Sequence, residues 1–253
     1  MPLRAKKILI TGGSGGIGSL LCEKLLSSGA DITIVSREKI SLLNVRVIQG
    51  DLSTLEGIAA LIEKVSLMAI DVLVNLAGIQ YFGFCEKQSS DDTSLLYAVN
   101  LMAPVLLSQA LLPQMKRRGS GHIVNVGSTF GSINFAHFVA YSSSKAGLLG
   151  FTEALRREVK SDGISITYVA PRATKTSFNT NSILEFGRIT RMKVDEPKWV
   201  AEKIFQAIRH KKKDVFLGFP EKLFVRLNAI FPRLMDAALV ASDLKAKSLL
   251  DPK

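Results

Sequence analysis

A glycine-rich loop near the start of the chain constrains the fold more than any other feature. Residues 8–10 are a short apolar run, residues 11–18 read TGGSGGIG, and residues 20–26 have apolar side chains at helical spacing. Strand, glycine loop and helix therefore follow in the order that a dinucleotide-binding βαβ unit requires. Glycines let the backbone turn tightly and approach a pyrophosphate, which faces the positive end of the helix. The alternative interpretation is a glycine-rich surface turn.

The spacing of these glycines fits three patterns. It can be read as G-x-G-x-x-G (Gly13, Gly15, Gly18), as G-x-x-G-x-x-G (Gly12, Gly15, Gly18) or as G-x-x-x-G-x-G (Gly12, Gly16, Gly18). The loop alone does not choose among them, so later motifs must decide.

The end of the second predicted strand, residues 32–35, bears on the choice of cofactor. An acidic residue at this point would hold the ribose 2′-hydroxyl of NAD. The chain has Ser36 and Arg37 instead, and a guanidinium can pair with a 2′-phosphate through two charge-assisted hydrogen bonds. We therefore expect NADP(H) to be preferred over NAD(H). An ordinary surface arginine is the alternative.

A hydroxyl, a phenol and an ammonium group follow one another later in the chain, as Ser128, Tyr141 and Lys145. Tyr141 and Lys145 are four residues apart, so a helix would place them on one face, one turn from each other. Because a nearby cation favours ionisation of a phenol, we expect Lys145 to lower the pKa of Tyr141 toward neutral pH. Taken alone, the pair is also consistent with a solvated helix face.

Apolar runs recur along the chain near residues 8, 34, 47, 72, 123, 166 and 215, with helical patterns between them. This alternation predicts the α/β class: a single-domain Rossmann fold with a doubly wound parallel sheet of about seven strands and helices on both faces. The 253 residues, 47% of them apolar, fit one domain over residues 1–253. The ligand crevice should lie at the carboxyl ends of the strands, where Gly12, Asp51, Asn75, Ser128 and Pro171 fall.

Taken together, these motifs resemble the short-chain dehydrogenase/reductase family, in its short single-domain branch and with 3-oxoacyl-reductase-like features. The resemblance covers most of the chain and selects the G-x-x-x-G-x-G pattern. The motifs that carry it are the Gly12/Gly16/Gly18 loop, GDL at residues 50–52, NLAG at residues 75–78, Asn100, VNVGS at residues 124–128, YSSSK at residues 141–145, Pro171 and Thr176.

The resemblance implies a catalytic role for four residues. Ser128 would orient the substrate carbonyl, Tyr141 would transfer the proton, and Lys145 would hold the nicotinamide ribose while lowering the pKa of Tyr141. Asn100 would carry a water that relays protons from Lys145 to solvent. Hydroxyl donors suit this chemistry because hydride attack on a carbonyl develops negative charge on its oxygen.

The resemblance also implies the cofactor contacts. Asp51 would hydrogen-bond the adenine, the turn at residues 75–78 would border the adenosine ribose, and Thr176 would meet the carboxamide. The full set of expected NADP(H) contacts is Gly12, Ser14, Gly15, Gly16, Ile17, Gly18, Ser36, Arg37, Asp51, Leu52, Asn75, Ala77, Gly78, Tyr141, Lys145, Pro171 and Thr176.

Two positions depart from the family pattern. The usual Asn-Asn-Ala-Gly has Leu76 as its second residue, which leaves the backbone contacts intact. The usual Pro-Gly after the sixth strand is Pro171-Arg172, although a glycine there lets the nicotinamide lie close. The Arg172 side chain is expected either to point to solvent or to reach a substrate carboxylate, phosphate or thioester-linked carrier.

Cysteine and histidine usage excludes several classes of protein. With only Cys22 and Cys85, the chain has no disulfide scaffold, which favours a reducing compartment, and no signal peptide is recognisable. We therefore expect a cytoplasmic protein. Neither the cysteines nor the three histidines have metal-ligand spacing, so no metal site is predicted.

Residues 93–115 are free of charge and long enough to span a bilayer. They also contain Asn100, Pro104, Gln109 and Pro113. We favour a long helix buried against the sheet on one side and, as often in the resembled family, against a partner subunit on the other.

Two segments in the last third of the chain are predicted to form a substrate lid and a C-terminal extension. Residues 176–200 follow the nicotinamide site and are interpreted as a substrate lid. Residues 221–253 have apolar residues at helical spacing, interrupted by Pro232, which predicts a C-terminal amphipathic helical extension. From residue 203 to residue 253, eleven Lys and Arg residues oppose five Asp and Glu residues.

These observations lead to a functional hypothesis about a small-molecule enzyme. The favoured partners are a carbonyl or alcohol substrate, hydrophobic or of 3-oxoacyl type, and further copies of the chain in a homodimer or homotetramer. Packing of the extension on the body or on a second subunit is favoured over an anionic membrane surface or an acyl carrier, and nucleic acid is not expected. The hypothesis is an NADPH-dependent carbonyl reductase; the alternative is a non-catalytic NADP(H)-binding sensor or scaffold.

Overall fold

The computed structural model describes residues 2–38 and 44–251. Its centre is a sheet of seven parallel strands in the order β3-β2-β1-β4-β5-β6-β7. The strands are β1 (Lys7–Thr11), β2 (Asp31–Ser36), β3 (Val45–Gln49), β4 (Val72–Asn75), β5 (Gly121–Val126), β6 (Ile164–Ala170) and β7 (Asp214–Phe216). All seven predicted strands are present, and the predicted α/β class is confirmed.

The α-helices of the described residues lie between and after these strands. They are α1 (Gly16–Ser27), α2 (Leu55–Ser66), α3 (Ser90–Tyr97), α4 (Ala103–Arg118), α5 (Val139–Glu158), α6 (Asn181–Ile189), α7 (Pro197–His210), α8 (Glu221–Ile230) and α9 (Pro232–Leu250).

The alternation of side chains along β1 shows why helices cover both faces of the sheet. Ile8 and Ile10 face an apolar cluster completed by α1 and α7, whereas Leu9 faces the opposite cluster, completed by α2, α4 and α5. Both faces of a buried parallel strand must be apolar, and β1 meets this requirement with a continuous apolar run. The strand order runs outward from β1 on one side and from β4 on the other, so a crevice opens between their carboxyl ends.

A long helical segment, Ser90–Arg118, crosses one face of the sheet. It consists of α3, a π-helical turn at Ala98–Met102, and α4. By length and composition alone it could cross a membrane. Leu107, Leu111 and Met115 are nevertheless fully buried in the core cluster between the helices and the sheet. The segment therefore packs as a core helix on this face of the sheet.

The segments after β6 combine expected and unexpected structure. Helix α7 begins at Pro197, and proline is favoured at the first position of a helix because its fixed φ suits the helix. Helix α6 lies within the predicted lid, where mixed polarity gives no clear helical pattern, and its N-terminus is capped by the Thr180 hydroxyl, which accepts a hydrogen bond from the backbone of Ile183.

Two helices follow β7, and Pro232 is the first residue of the second. Helix α9 buries Met235 and Ala246, and Lys245 donates a hydrogen bond to the carbonyl of Ile189 at the end of α6. Helix α8 has no buried residue. The two helices thus differ: α9 packs on the lid, while α8 leaves its apolar face in solvent.

Candidate active site

The carboxyl ends of β1, β4, β5 and β6 border a cavity of about 600 Å³. Of the predicted site residues, all but Asn75 and Asn100 line it. The predicted residues that do are Gly12, Ser14, Gly15, Gly16, Ile17, Gly18, Ser36, Arg37, Asp51, Leu52, Ala77, Gly78, Ser128, Tyr141, Lys145, Pro171 and Thr176.

The glycine loop forms one end of this cavity and has the geometry that a pyrophosphate needs. Gly12 has a φ of 72°, and a Cβ there would lie 2.8 Å from the backbone of Ala77. A Cβ on Gly18 would overlap the Gly12 carbonyl oxygen. Helix α1 begins directly after Gly15, with no side-chain cap and no acidic residue in its first turn. Its first N–H groups and its dipole are therefore open to an anion.

The end of β2 provides a cation beside a carboxylate. Arg37 is exposed and lines the cavity, and its backbone carbonyl accepts a hydrogen bond of 3.1 Å from Gln49 Nε2. Asp51 accepts a hydrogen bond of 2.9 Å from the backbone N–H of Ser53. Hydrogen bonding by Ser53 lowers the pKa of Asp51, with a smaller contribution from Arg37. The site therefore offers both an ionised acceptor and a guanidinium to an adenosine moiety.

The phenol and the ammonium group lie on consecutive turns of α5 and are both buried. Lys145 Nζ is 5.9 Å from the centroid of the Tyr141 ring and donates a hydrogen bond of 3.2 Å to the carbonyl of Val126, the last residue of β5. Ser128 follows β5, and its Oγ accepts a hydrogen bond of 3.1 Å from the N–H of Phe130. Helix α5 and the end of β5 thus bring the three groups to one wall of the cavity.

Burial changes the pKa values of both Tyr141 and Lys145. For Tyr141 the change is opposite to the one expected from the sequence. It raises the pKa of Tyr141 to about 12, against a smaller opposite effect of the Ser128 hydrogen bond. It lowers the pKa of Lys145 to about 8. Because loss of hydration outweighs the hydrogen bond of Ser128, the pKa of Tyr141 lies above its usual value in this structure, and the expected lowering toward neutral pH is not seen. Tyr141 is protonated at neutral pH, which is the state of a proton donor.

Asn100 lies behind the cavity, in the π-helical turn between α3 and α4. Its Oδ1 accepts from the N–H of Ile79 at 2.9 Å, and its Nδ2 donates to the Ile79 carbonyl at 2.8 Å and to Ser144 Oγ at 3.1 Å. A Cβ on Gly78 would lie 3.3 Å from Asn100 Oδ1 and 3.5 Å from Lys145 Nζ. Asn100 therefore fixes the loop after β4 close to Lys145, and its role in a water relay stays a prediction.

Asn75 is the one predicted cofactor contact that does not line the cavity, and its contact with the cofactor stays a prediction. Its Nδ2 donates 2.8 Å to Asn125 Oδ1, and Asn125 in turn donates 2.9 Å to Thr152 of α5. As the last residue of β4, Asn75 is held between neighbouring strands, and its side chain is buried. The turn that follows supplies Ala77 and Gly78 to the cavity in its place.

The structure corrects the expectation that the Arg172 side chain points to solvent. Its Nε and Nη2 donate to the two carboxylate oxygens of Asp195 at 2.9 and 2.7 Å, and its Nη1 donates to Glu221 Oε2 at 2.8 Å. Hydrogen bonding by Asp195 raises the pKa of Arg172. The guanidinium therefore ties the loop after β6 to the residues that precede α7 and to the start of α8. Arg172 also lines the cavity, and its contact with a substrate group stays a prediction.

An aromatic wall is the part of the site that the motifs did not reveal. Phe130, Phe138, Phe178 and Phe186 line the cavity, and the Tyr141 ring lies 6.2 Å from Phe130 and 6.3 Å from Phe178. The three phenylalanines of residues 130–138 and the apolar residues of the lid, such as Phe186, are its signals in the sequence.

Other apolar residues near the cavity are divided between the wall and its support. Ile183 and Phe186 line the cavity, whereas Leu184 is exposed and does not. Residues 81–84 lie outside the lining, but Phe82 stacks on Phe138 with ring centroids 4.7 Å apart.

The fold and this arrangement agree with a comparison against known families. A family model described as short chain dehydrogenase matches residues 6–185. The chain therefore belongs to the short-chain dehydrogenase family, and it is an NAD(P)-dependent oxidoreductase of that family.

Three proteins illustrate its relatives. The ketoacyl reductase HetN of Nostoc sp. is 31% identical over 230 residues, which cover 85% of this chain and 79% of that protein. A short-chain dehydrogenase from Sphingobium yanoikuyae, solved in complex with NADPH, is 25% identical with a TM-score of 0.77, covering 91% of this chain and 95% of that chain. The 3-ketoacyl-(acyl-carrier-protein) reductase of Brucella melitensis, complexed with NADH, shares the fold with a TM-score of 0.76 at 22% identity, covering 87% of this chain and 99% of that chain.

Proposed function

We propose that this chain is an NADPH-dependent carbonyl reductase, reversible as an alcohol dehydrogenase, in which Tyr141 is the general acid and base. The observation that carries the proposal is the burial of Ser128, Tyr141 and Lys145 on the wall of the same cavity that the glycine loop lines. When bound, NADPH would supply the hydride that reduces the carbonyl carbon.

The side chains of the site can manage the charge and the proton of this reaction. Negative charge develops on the substrate oxygen, and the hydroxyls of Ser128 and Tyr141 can donate hydrogen bonds to it without rearrangement. Tyr141 then gives its proton to that oxygen, which its pKa of about 12 permits because the hydroxyl is protonated at neutral pH. Lys145, with a pKa near 8, can be charged at neutral pH and stabilise the phenolate that remains.

The residues of the cavity fit the proposed cofactor. The open N-terminus of α1 and the close approach of Gly12 to Ala77 suit a pyrophosphate. Arg37 lines the cavity at the end of β2, where an NAD-specific site would have a carboxylate. A guanidinium there favours the 2′-phosphate of NADPH.

The cofactor preference is tested by measuring NADPH and NADH affinities for the wild type, Arg37→Ala and Arg46→Ala. Loss of hydrogen bonds to a charged phosphate should weaken NADPH binding by Arg37→Ala roughly 10- to 100-fold, with little change for NADH. Arg46 is an exposed arginine of the neighbouring strand that does not line the cavity, so Arg46→Ala is the matched control. A preference for NADPH that survives Arg37→Ala would show that the phosphate is not recognised there.

The substrate is proposed to be a hydrophobic ketone, such as a 3-oxoacyl thioester. The aromatic wall beside Tyr141 offers an apolar surface, and two of the relatives above are named ketoacyl reductases. A panel of ketones and 3-oxoacyl thioesters of increasing chain length, followed by the absorbance of NADPH, tests this. We expect kcat/KM to rise with apolar chain length. Failure to oxidise NADPH with any carbonyl compound would instead support the sensor or scaffold.

A further inference from the structure

The two C-terminal helices display an unusual concentration of exposed apolar side chains. Of the 16 large hydrophobic residues that are exposed in the described chain, eight lie between residues 219 and 244. Six of these eight form what we call the apolar stripe: Phe219, Leu223, Phe224, Ile230, Phe231 and Leu234, which are 72%, 45%, 39%, 67%, 56% and 62% exposed.

The residues of the stripe lie close together along both helices and their junction. Leu223 and Ile230 are seven residues apart, on one face of α8, while Phe231 joins the two helices and Leu234 lies in the first turn of α9. Helix α8 has no buried residue, so this face is not used to pack α8 on the body of the described fold. An apolar face of this extent on a folded chain indicates an interaction surface.

Cations lie on α8, which carries part of the stripe, and in the segment that precedes β7. We call Lys211, Lys212, Lys213, Lys222 and Arg226 the cationic patch. Lys212, Lys222 and Arg226 line one groove of about 410 Å³ between β7 and α8. Lys222 and Arg226 also precede Leu223 and Leu227 by one residue each, so the charges flank the apolar face along α8.

The neighbouring carboxylates do not neutralise the cationic patch. Asp214 is paired with Arg156 at 2.7 Å, and Glu221 is paired with Arg172 at 2.8 Å. Within residues 2–38 and 44–251, no side chain of the cationic patch forms an ion pair. The surface beside the stripe therefore carries uncompensated positive charge.

We propose that the apolar stripe and the cationic patch together form a docking surface for an anionic lipid bilayer. Large apolar side chains flanked by Lys and Arg are what an interfacial helix needs, because the apolar face enters the headgroup region while the cations meet anionic headgroups. A second copy of the chain fits less well. In a two-fold symmetric dimer formed through this surface, the cationic patches of the two copies would come close together, and their like charges would repel.

Docking would bring the lid close to the bilayer. Helix α9 continues from the stripe and packs on α6 through Lys245, which donates to the Ile189 carbonyl, and through Ala246, which shares an apolar cluster with Phe186 of the aromatic wall. Helix α9 thus connects the proposed membrane surface, at its N-terminal end, to the lid beside the substrate cavity.

The test is co-sedimentation of the full chain with vesicles of phosphatidylcholine alone and of phosphatidylcholine with phosphatidylglycerol. We expect binding to the anionic vesicles only, and weaker binding at higher salt. The double variant Lys222→Gln/Arg226→Gln should weaken this binding roughly 10- to 30-fold, and Ile230→Ser/Phe231→Ser should also weaken it. Lys160→Gln and Leu67→Ser are matched controls, since both residues are exposed elsewhere, and both should bind as the wild type does.

Catalytic activity and oligomeric state, measured beside vesicle binding, decide how each result is interpreted. All variants should oxidise NADPH with a soluble ketone at the wild-type rate, which shows that they are folded. Absence of wild-type binding to anionic vesicles, or undiminished binding by the stripe variant, would overturn the proposal. So would an oligomer in solution that Ile230→Ser/Phe231→Ser dissociates while vesicle binding is unchanged, because that result assigns the stripe to a second copy.

Discussion

Replacing Arg172 by methionine tests how the lid and the C-terminal helices are attached to the sheet. The substitution keeps an unbranched side chain but removes three charge-assisted hydrogen bonds, of 2.9 and 2.7 Å to Asp195 and of 2.8 Å to Glu221. The side chains of Arg172, Asp195 and Glu221 are only 12%, 10% and 21% exposed. Two carboxylates would therefore be left largely buried without a cation.

The magnitude follows from that burial. Removal of one partner from a buried ion pair destabilises a protein by about 3–5 kcal/mol, because the remaining charge is uncompensated. For a chain of this length, about 3 kcal/mol corresponds to a fall in Tm of roughly 6–12 °C. The apparent KM for substrate should rise as well, because Asp195 lies within the lid and its backbone pairs with that of Thr174, which lines the cavity.

Thermal unfolding followed by circular dichroism measures this effect, and two further variants make it specific. Arg188→Met breaks an ion pair of the same 2.7 Å length to Glu185, but an exposed one, so it should change Tm little. The triple variant Arg172→Met/Asp195→Asn/Glu221→Gln also removes the two carboxylates that Arg172→Met leaves without a cation. Much of the lost Tm should therefore be recovered. The reasoning is refuted if Arg172→Met and Arg188→Met lower Tm equally, or if the triple variant is less stable than Arg172→Met.

Further changes test the chemistry of the site. Burial lowers the pKa of Lys145 from 10.5 to about 8, so the unfolded chain binds more protons between these values, and stability should rise over that range by on the order of 3 kcal/mol. Lys145→Met should abolish this rise in urea titrations, and an unchanged slope would contradict the burial effect. Burial raises the pKa of Tyr141 from 10 to about 12, so stability should fall over that range, and Tyr141→Phe should flatten the fall. Gly18→Ala places a Cβ against the Gly12 carbonyl and should prevent NADPH binding in a fluorescence titration. In the control Gly150→Ala the Cβ meets open space, so this variant should bind NADPH as the wild type does. Equal binding by both variants would argue against the loop as the cofactor site.

The fold was largely predictable because its determinants are local. The glycine loop between an apolar run and a helical pattern defines a βαβ unit, and the regular recurrence of apolar runs indicates a parallel sheet. The one-turn spacing of Tyr141 and Lys145 also specifies their common wall in the cavity, since both lie on α5. Each of these inferences depends on residues that are close in sequence.

The features that escaped prediction depend on residues far apart in sequence or on solvation. The partners of Arg172 are 23 and 49 residues away, and no local pattern identifies them. The direction of the Tyr141 pKa shift depends on how completely the ring is buried, which the spacing to Lys145 does not show. The aromatic wall is similarly assembled from segments far apart in sequence, so its apolar character emerges only in the folded chain.

The account depends most directly on the hydroxyl of Tyr141 as the group that transfers the proton. Tyr141→Phe removes only that oxygen, and its ring should still pack between Phe130 and Phe178. With a ketone that the wild type reduces, we predict that the variant binds NADPH as the wild type does but loses about 10²- to 10⁴-fold in kcat, the contribution of a general acid. A variant with kcat close to that of the wild type would contradict the mechanism.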